Sequence, residues 1–304
     1  MKIYIVGAGT IGKALAVCLK LNGKDVQLIR GSTDDGRTYT EKIRVDLIGG
    51  SELVSEIQFS TLSNFKKLDG LIVLTNKSFG NKVLSEKLRK KAKESPIVLL
   101  QNGLGVAQAF VDNDFQDIYR CVLFVTSQNI SKNEIRYKAV ADSPIGIVQQ
   151  NNSELETIVS ELNTPNFRFV SEGNIQRVVW KKTIANCVFN SICPLLDVDN
   201  GIFHRDPSVF ALAKRIIKEC VHISKAMGIN LEVPEIEEQV LKISQLSDGQ
   251  FISTLQDIRN KKETEIDTLN LEIYRLATTL KMAHLVPETK VLGDLIKLKS
   301  ELNR

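Results

Sequence analysis

Six residues near the amino terminus, Gly7-Ala8-Gly9-Thr10-Ile11-Gly12, constrain this chain more than any other stretch. They follow the apolar run Ile3-Tyr4-Ile5-Val6, which reads as a buried strand, and they lead into Ile11 to Leu21, which reads as a helix ending at Asn22-Gly23. A G-x-G-x-x-G turn between a strand and a helix is the dinucleotide-binding arrangement. Gly7 permits the tight turn, Gly9 lets the backbone approach a pyrophosphate, and Gly12 lets the helix pack close to the strand. The N–H groups of the helix amino terminus then face the anion. Ala8, Thr10 and Ile11 complete the cofactor loop.

The rest of the first half supports this reading. Asp25 to Ile29 and Gly70 to Leu74 read as strands, Lys82 to Glu94 as a helix, and Ile97 to Leu100 as a strand before Gln101-Asn102-Gly103. That alternation predicts βαβ units in one parallel sheet. Tyr39 to Phe59 alternates polar and apolar residues, suggesting a short hairpin or edge strands; Tyr119 to Gln149 also reads as stranded, and Glu154 to Asn163 as a closing helix. After about Glu172 the pattern becomes helical, punctuated at Pro194, Asn200-Gly201, Pro207, Pro234 and Asp248-Gly249. The expected architecture is α/β: a Rossmann-type doubly wound parallel sheet over residues 1–172, followed by an all-helical domain over 173–304 that carries substrate and catalysis.

Composition excludes several other classes. A chain of 304 residues is long enough for two cores, and 43% hydrophobic with 25% charged residues is an ordinary globular balance. The net charge of +4 is the small difference between 40 basic and 36 acidic residues, so nucleic acid is not implied. The apolar run at Ile3 to Val6 is far shorter than a signal-peptide core or a membrane span, and a cytoplasmic protein without membrane partners is expected. Cys18, Cys121, Cys187, Cys193 and Cys220 form no C-x-x-C pair and read as reduced core residues rather than a metal site.

About twenty positions after the glycine turn, an NAD site places an acidic residue at the end of the second strand. Here Arg30 stands there, and an arginine can pair bidentately with an adenosine 2′-phosphate, which favours NADP(H). The alternative is a solvated Arg30, with Asp34 or Asp35 on the ribose hydroxyls. Ligands of such sheets lie beyond the carboxyl ends of the strands, which draws attention to Lys77 and Asn102.

Reduction of a carbonyl needs a group that protonates or polarises the oxygen. His204, His222 and His284 are isolated and read as structural. Lys182, Asn186 and Asn190 instead recur at i, i+4 and i+8 on one face of an otherwise apolar helix, which is costly unless the face meets a polar cavity. A buried hydrogen-bonded network between domains would explain the same stripe. Ser253 and Glu265 alone read as helix-surface residues.

Taken together, the chain resembles the ketopantoate reductase (2-dehydropantoate 2-reductase) family over nearly its whole length. The resemblance rests on Gly7 to Gly12, Lys77-Ser78, Gln101-Asn102-Gly103, Lys182 to Asn190, Ser253 to Asp257 and Thr264 to Asp267. It implies reduction of ketopantoate to pantoate by NADPH, in the formation of pantothenate and coenzyme A. Lys182 matches the proton donor to the substrate carbonyl and Glu265 a supporting carboxylate. Asn186, Asn190 and Ser253 match substrate-binding groups, Asn102 a residue near cofactor and substrate, and Arg30 and Lys77 the phosphate end of NADP. A lysine in a desolvated site beside a nicotinamide cation is expected below its usual pKa of about 10.4. Asn270-Leu271 departs from the Asn-Gly that commonly follows in the family, which bears on substrate fit. Other readings are a reductase of another small 2-oxo acid and a non-catalytic NADP-binding regulator; the helical domain could also serve homodimerisation.

Overall fold

The computed structural model describes residues 1–152 and 154–304. It divides into two compact units, Met1–Gln101 with Val106–Ile175, and Asn102–Gly105 with Gln176–Arg304.

In the first unit, β1 (Ile3–Val6), α1 (Thr10–Leu21) and β2 (Val26–Ile29) form the opening βαβ motif. β3 (Tyr39–Leu47) and β4 (Glu52–Ser60) make a hairpin of two long strands. β5 (Leu71–Leu74), α2 (Asn81–Ala92), β6 (Ile97–Leu99) and the short α3 (Gln108–Val111) precede β7 (Ile118–Cys121). A second hairpin, β8 (Val125–Asn129) with β9 (Glu134–Ala139), leads to β10 (Ser143–Gln149), α4 (Leu155–Leu162) and β11 (Phe169–Ser171). The sheet has eleven strands in the order β11-β10-β7-β6-β5-β1-β2-β4-β3-β9-β8. The run from β7 to β4 is parallel, as the βαβ rhythm requires. The expected parallel core is extended into a mixed sheet: β3 with β4, β8 with β9, and β7 with β10 pair antiparallel. The first two of these pairs are hairpins, closed by short turns where a parallel pair needs a crossover.

Side chains on the central strands alternate between two cores. Ile3, Ile5, Leu28, Leu71, Val73 and Val98 face α1 and α4. Tyr4, Val6, Ile29, Ile72, Leu74, Ile97 and Leu99 face α2 and α3. The sheet curls strongly around the first of these layers. β7 and β8 lie eight inter-strand steps apart, about 38 Å along a flat sheet, yet only Val122, Leu123 and Phe124 join them, a link of at most roughly 14 Å. The curl brings Tyr137 of β9 to Phe167 beside β11, ring centroids 5.2 Å apart, and Phe167 stacks on Phe169 at 5.0 Å. Helix α1 consequently packs against β1, β2, β3, β4, β8 and β9.

The second unit is helical: α5 (Ile175–Leu196), α6 (Ile202–Arg205), α7 (Pro207–Ala226), α8 (Val233–Leu246), α9 (Ser253–Arg259), α10 (Asn270–Thr279) and α11 (Pro287–Leu302). Asp206 accepts from the Ser208 and Val209 amides to start α7, with Pro207 in the first turn, where its missing N–H costs nothing. Pro194 does not break its helix; it sits in the last turn of α5, which ends at Leu196. All five cysteines are free and buried. Among the described residues, no helix is long and apolar enough to cross a membrane, and no group of three His, Cys, Asp or Glu could hold a metal ion.

Phe167 closes the curled sheet from within. Phe167→Ala should lower stability by about 3–5 kcal/mol, read as a shift of the urea midpoint followed by circular dichroism; a shift within error would remove the aromatic cluster as a main support of this unit.

Candidate active site

In the first unit the glycine turn fits tightly wherever the chain needs it to. Gly7 has φ +122°, and a Cβ there would lie 2.5 Å from the Asn76 amide nitrogen. A Cβ on Gly12 would lie 2.0 Å from the Gly7 carbonyl oxygen. Thr75, directly after β5, donates from Oγ1 to that same carbonyl at 2.8 Å and so ties the ends of β1 and β5 together. Gly9 is different: it is exposed, and a Cβ built there meets no atom within 4 Å. Its face is open, and the first turn of α1 carries no side-chain cap. Two glycines are therefore demanded by internal packing. Gly9 instead leaves room for an outside group at a helix amino terminus, which is what a pyrophosphate requires.

Arg30 stands just past β2, with its guanidinium 5.4 Å from the Tyr39 ring centroid. It donates from Nη1 to Asp35 Oδ2 at 3.1 Å, from Nη2 to Asp35 Oδ1, and from Nη2 to the Arg37 carbonyl at 3.0 Å. Hydrogen bonding from Arg30, then from the Arg37 amide, holds the Asp35 carboxyl down at about 2. Asp34 turns elsewhere, accepting from the Ser63 amide at 2.9 Å. Lys77 follows β5 and precedes a single turn of 3-10 helix, Ser78–Gly80. Its carbonyl accepts from Asn76 Nδ2 at 2.9 Å. Behind this loop, the buried Asn81 and Gln101 exchange amide hydrogen bonds at 2.8 and 2.7 Å, and Gln101 also donates to the Asn76 carbonyl at 3.0 Å. The pair fixes the loop after β5 to the loop after β6.

In the second unit, α5 carries Lys182, Asn186 and Asn190 as a stripe. Lys182 and Asn186 are half-buried, whereas Asn190 is buried. Asn190 Oδ1 accepts from the Thr254 amide at 3.3 Å and from Ser253 Oγ at 3.4 Å, so it caps α9 from across the unit and sets the position of Ser253. With the oxygen so engaged, the amide nitrogen is the donor Asn190 can offer a ligand.

The segment Asn102–Gly105 belongs to this unit. Gly103 has φ +88°, and a Cβ there would lie 2.4 Å from the Thr268 carbonyl oxygen. Leu104 donates to that oxygen at 2.8 Å. This close approach brings Asn102 Nδ2 to Glu265 Oε2 at 3.5 Å. The structure thus joins two pairs of the expected residues, Asn102 with Glu265 and Asn190 with Ser253. Leu271, where the family commonly has glycine, packs against α11, whose Gly293 leaves space for it: a Cβ there would lie 2.8 Å from Leu271 Cδ2.

Thr75, Asn81 and Thr268 escaped the sequence reading. Thr75 carried a signal, a small polar residue at the carboxyl end of a strand beside the glycine turn. The other two act through partners distant in sequence.

A glycine-turn cradle in one unit and a lysine, carboxamide and carboxylate set in the other define the class of Rossmann-type oxidoreductases. The chain belongs to the ketopantoate reductase family. The sequence model "Ketopantoate reductase PanE/ApbA" matches residues 3–150, and its C-terminal counterpart matches residues 174–300. A relative from Pyrococcus abyssi, named 2-dehydropantoate 2-reductase, is 28% identical over 306 residues and covers 99% of each chain. Among solved structures, a PanE/ApbA family ketopantoate reductase from Ralstonia eutropha has a TM-score of 0.86 at 22% identity, covering 100% of this chain and 99% of its own. A D-mandelate dehydrogenase, in a ternary structure with NADH and anilino(oxo)acetate, has a TM-score of 0.84 at 20% identity, covering 100% and 99%. These likenesses establish the shared fold.

The cap role of Asn190 separates two substitutions. Asn190→Ala removes the acceptor and should cost about 0.5–2 kcal/mol, whereas Asn190→Asp keeps an oxygen there and should melt at a higher temperature than the alanine variant; equal melting temperatures would show that the cap carries no weight.

Proposed function

We propose that this chain reduces ketopantoate to pantoate with NADPH. The observation that carries the reading is the second unit's assembly of Asn102 with Glu265, and of Asn190 with Ser253, alongside Lys182. These are the positions at which the chain matches the family's substrate-handling residues, and a protein that only sensed NADP would need no proton donor among them.

A bound nicotinamide cofactor would supply the hydride that the substrate's carbonyl carbon takes up. The open face at Gly9 and the first turn of α1, with Ala8, Thr10 and Ile11 beside them, would hold its pyrophosphate. Arg30, with Lys77, would hold the 2′-phosphate. The remaining steps belong to the second unit. Lys182 Nζ gives its proton to the carbonyl oxygen as that oxygen gains charge, so the carbonyl becomes a neutral hydroxyl group rather than an alkoxide. Glu265 supports the site and fixes Asn102 by accepting its amide hydrogen. The Asn186 and Asn190 carboxamides and the Ser253 hydroxyl orient the substrate's oxygens, with the Ser253 hydroxyl on its carboxylate.

A second reading is reduction of another small 2-oxo acid, since Asn270-Leu271 departs from the Asn-Gly that commonly follows in the family. Steady-state rates over a panel of 2-oxo acids decide between the two. Ketopantoate-dependent NADPH oxidation should exceed that with any other member of the panel. Lys182→Ala should keep the fold and cofactor binding and lose about 10²- to 10⁴-fold in kcat; unchanged kcat would remove Lys182 from the mechanism.

A further inference from the structure

We propose that Asp35 is a specificity-determining residue of the cofactor site, an internal carboxylate that competes with the adenosine 2′-phosphate for Arg30. The proposal rests on the reading of Arg30 as the phosphate ligand and adds what limits its use. Both Nη atoms of Arg30 meet the Asp35 carboxylate in the bidentate geometry that a phosphate would also take. The guanidinium cannot readily turn another edge outward. Its plane lies by the Tyr39 ring, Nη2 also serves the Arg37 carbonyl, and Nε is buried.

Asp35 is held in this position by the loop that carries it. On one side Asp34 is anchored to the Ser63 amide at 2.9 Å, and on the other the Gly36 carbonyl accepts from Asn64 Nδ2 at 3.0 Å. Asp35 Oδ1 further accepts from the Arg37 amide at 3.0 Å, closing a tight turn. The loop thus presents a carboxylate to Arg30 from a tethered backbone, with Asp34 and Arg37 as neighbouring charges. A 2′-phosphate must displace that carboxylate from Arg30, whereas a cofactor without the phosphate leaves the pair intact. Asp35 therefore lowers the advantage that Arg30 confers on NADPH over NADH.

The test measures the dissociation constants of 2′,5′-ADP and 5′-AMP by calorimetry and takes their ratio, a readout independent of turnover. Asp35→Asn keeps an acceptor for the Arg37 amide and removes only the charge. The ratio of 2′,5′-ADP to 5′-AMP constants should fall about two- to fivefold, the range expected for release of a partly exposed ion pair. In an Arg30→Ala background the same substitution should leave the ratio where Arg30→Ala alone puts it. A rise or no change in Asp35→Asn, while Arg30→Ala weakens 2′,5′-ADP selectively, overturns the role of Asp35 and leaves Arg30 as the phosphate ligand; an equal fall in both backgrounds reduces Asp35 to general charge repulsion and overturns it as well. If Arg30→Ala does not move the ratio, the assignment of Arg30 itself fails and the competition goes with it.

Discussion

Helix α1 can lie where it does only because Gly12 has no side chain: the nearest backbone oxygen stands 2.0 Å from the place a Cβ would take. One whole face of the sheet in the first unit is arranged around that helix. The helix meets strands from both hairpins as well as from the parallel core, and the sheet bends round it until Tyr137 and Phe167 touch. The same approach aims the uncapped first turn of α1 outward past the end of β1. The packing of α1 and the outward aim of its amino terminus are thus two results of one constraint, since a side chain at residue 12 would push the helix off the strand.

The second unit repeats the logic with different chemistry. Gly103 allows one backbone to rest on the Thr268 carbonyl, and the contact decides where Asn102 stands relative to Glu265. Asn190 uses its oxygen on the amino terminus of α9, which places Ser253. Polar side chains in an apolar helix are expensive unless satisfied. At Asn190 that cost is offset by a capping bond, so a structural explanation of the stripe holds for its oxygen.

Much of this was legible from local pattern. The glycine turn, the first three parallel strands and the helical second half follow from period and punctuation, because the contacts that create them are short in sequence or repeat regularly. The eleven-strand curl was not legible, since the pairing of β3 with β9 joins segments about ninety residues apart through backbone bonds that any sequence can make. Asn81 with Gln101 and Gly103 with Thr268 were hidden for the same reason. Lys182, Asn186 and Asn190 could be grouped by spacing alone, but only the resemblance drew Ser253 and Glu265 to them. Pro194 marked the close of α5 only approximately, since the helix runs two residues past it to Leu196.

Arg30 shows where one-letter rules for cofactor choice reach their limit. The rule compares an acidic residue with a basic one at the end of the second strand, as though one position decided the matter. Here the arginine is at that position and the aspartate five residues later, and the loop folds back so that they occupy the same space. Neither residue can be read alone. In the role proposed for Arg30, its pull on a phosphate depends on how firmly Ser63 and Asn64 hold the loop that carries Asp35. Cofactor preference in such a site is a property of backbone tethers as much as of charge, and it can be tuned without touching the arginine.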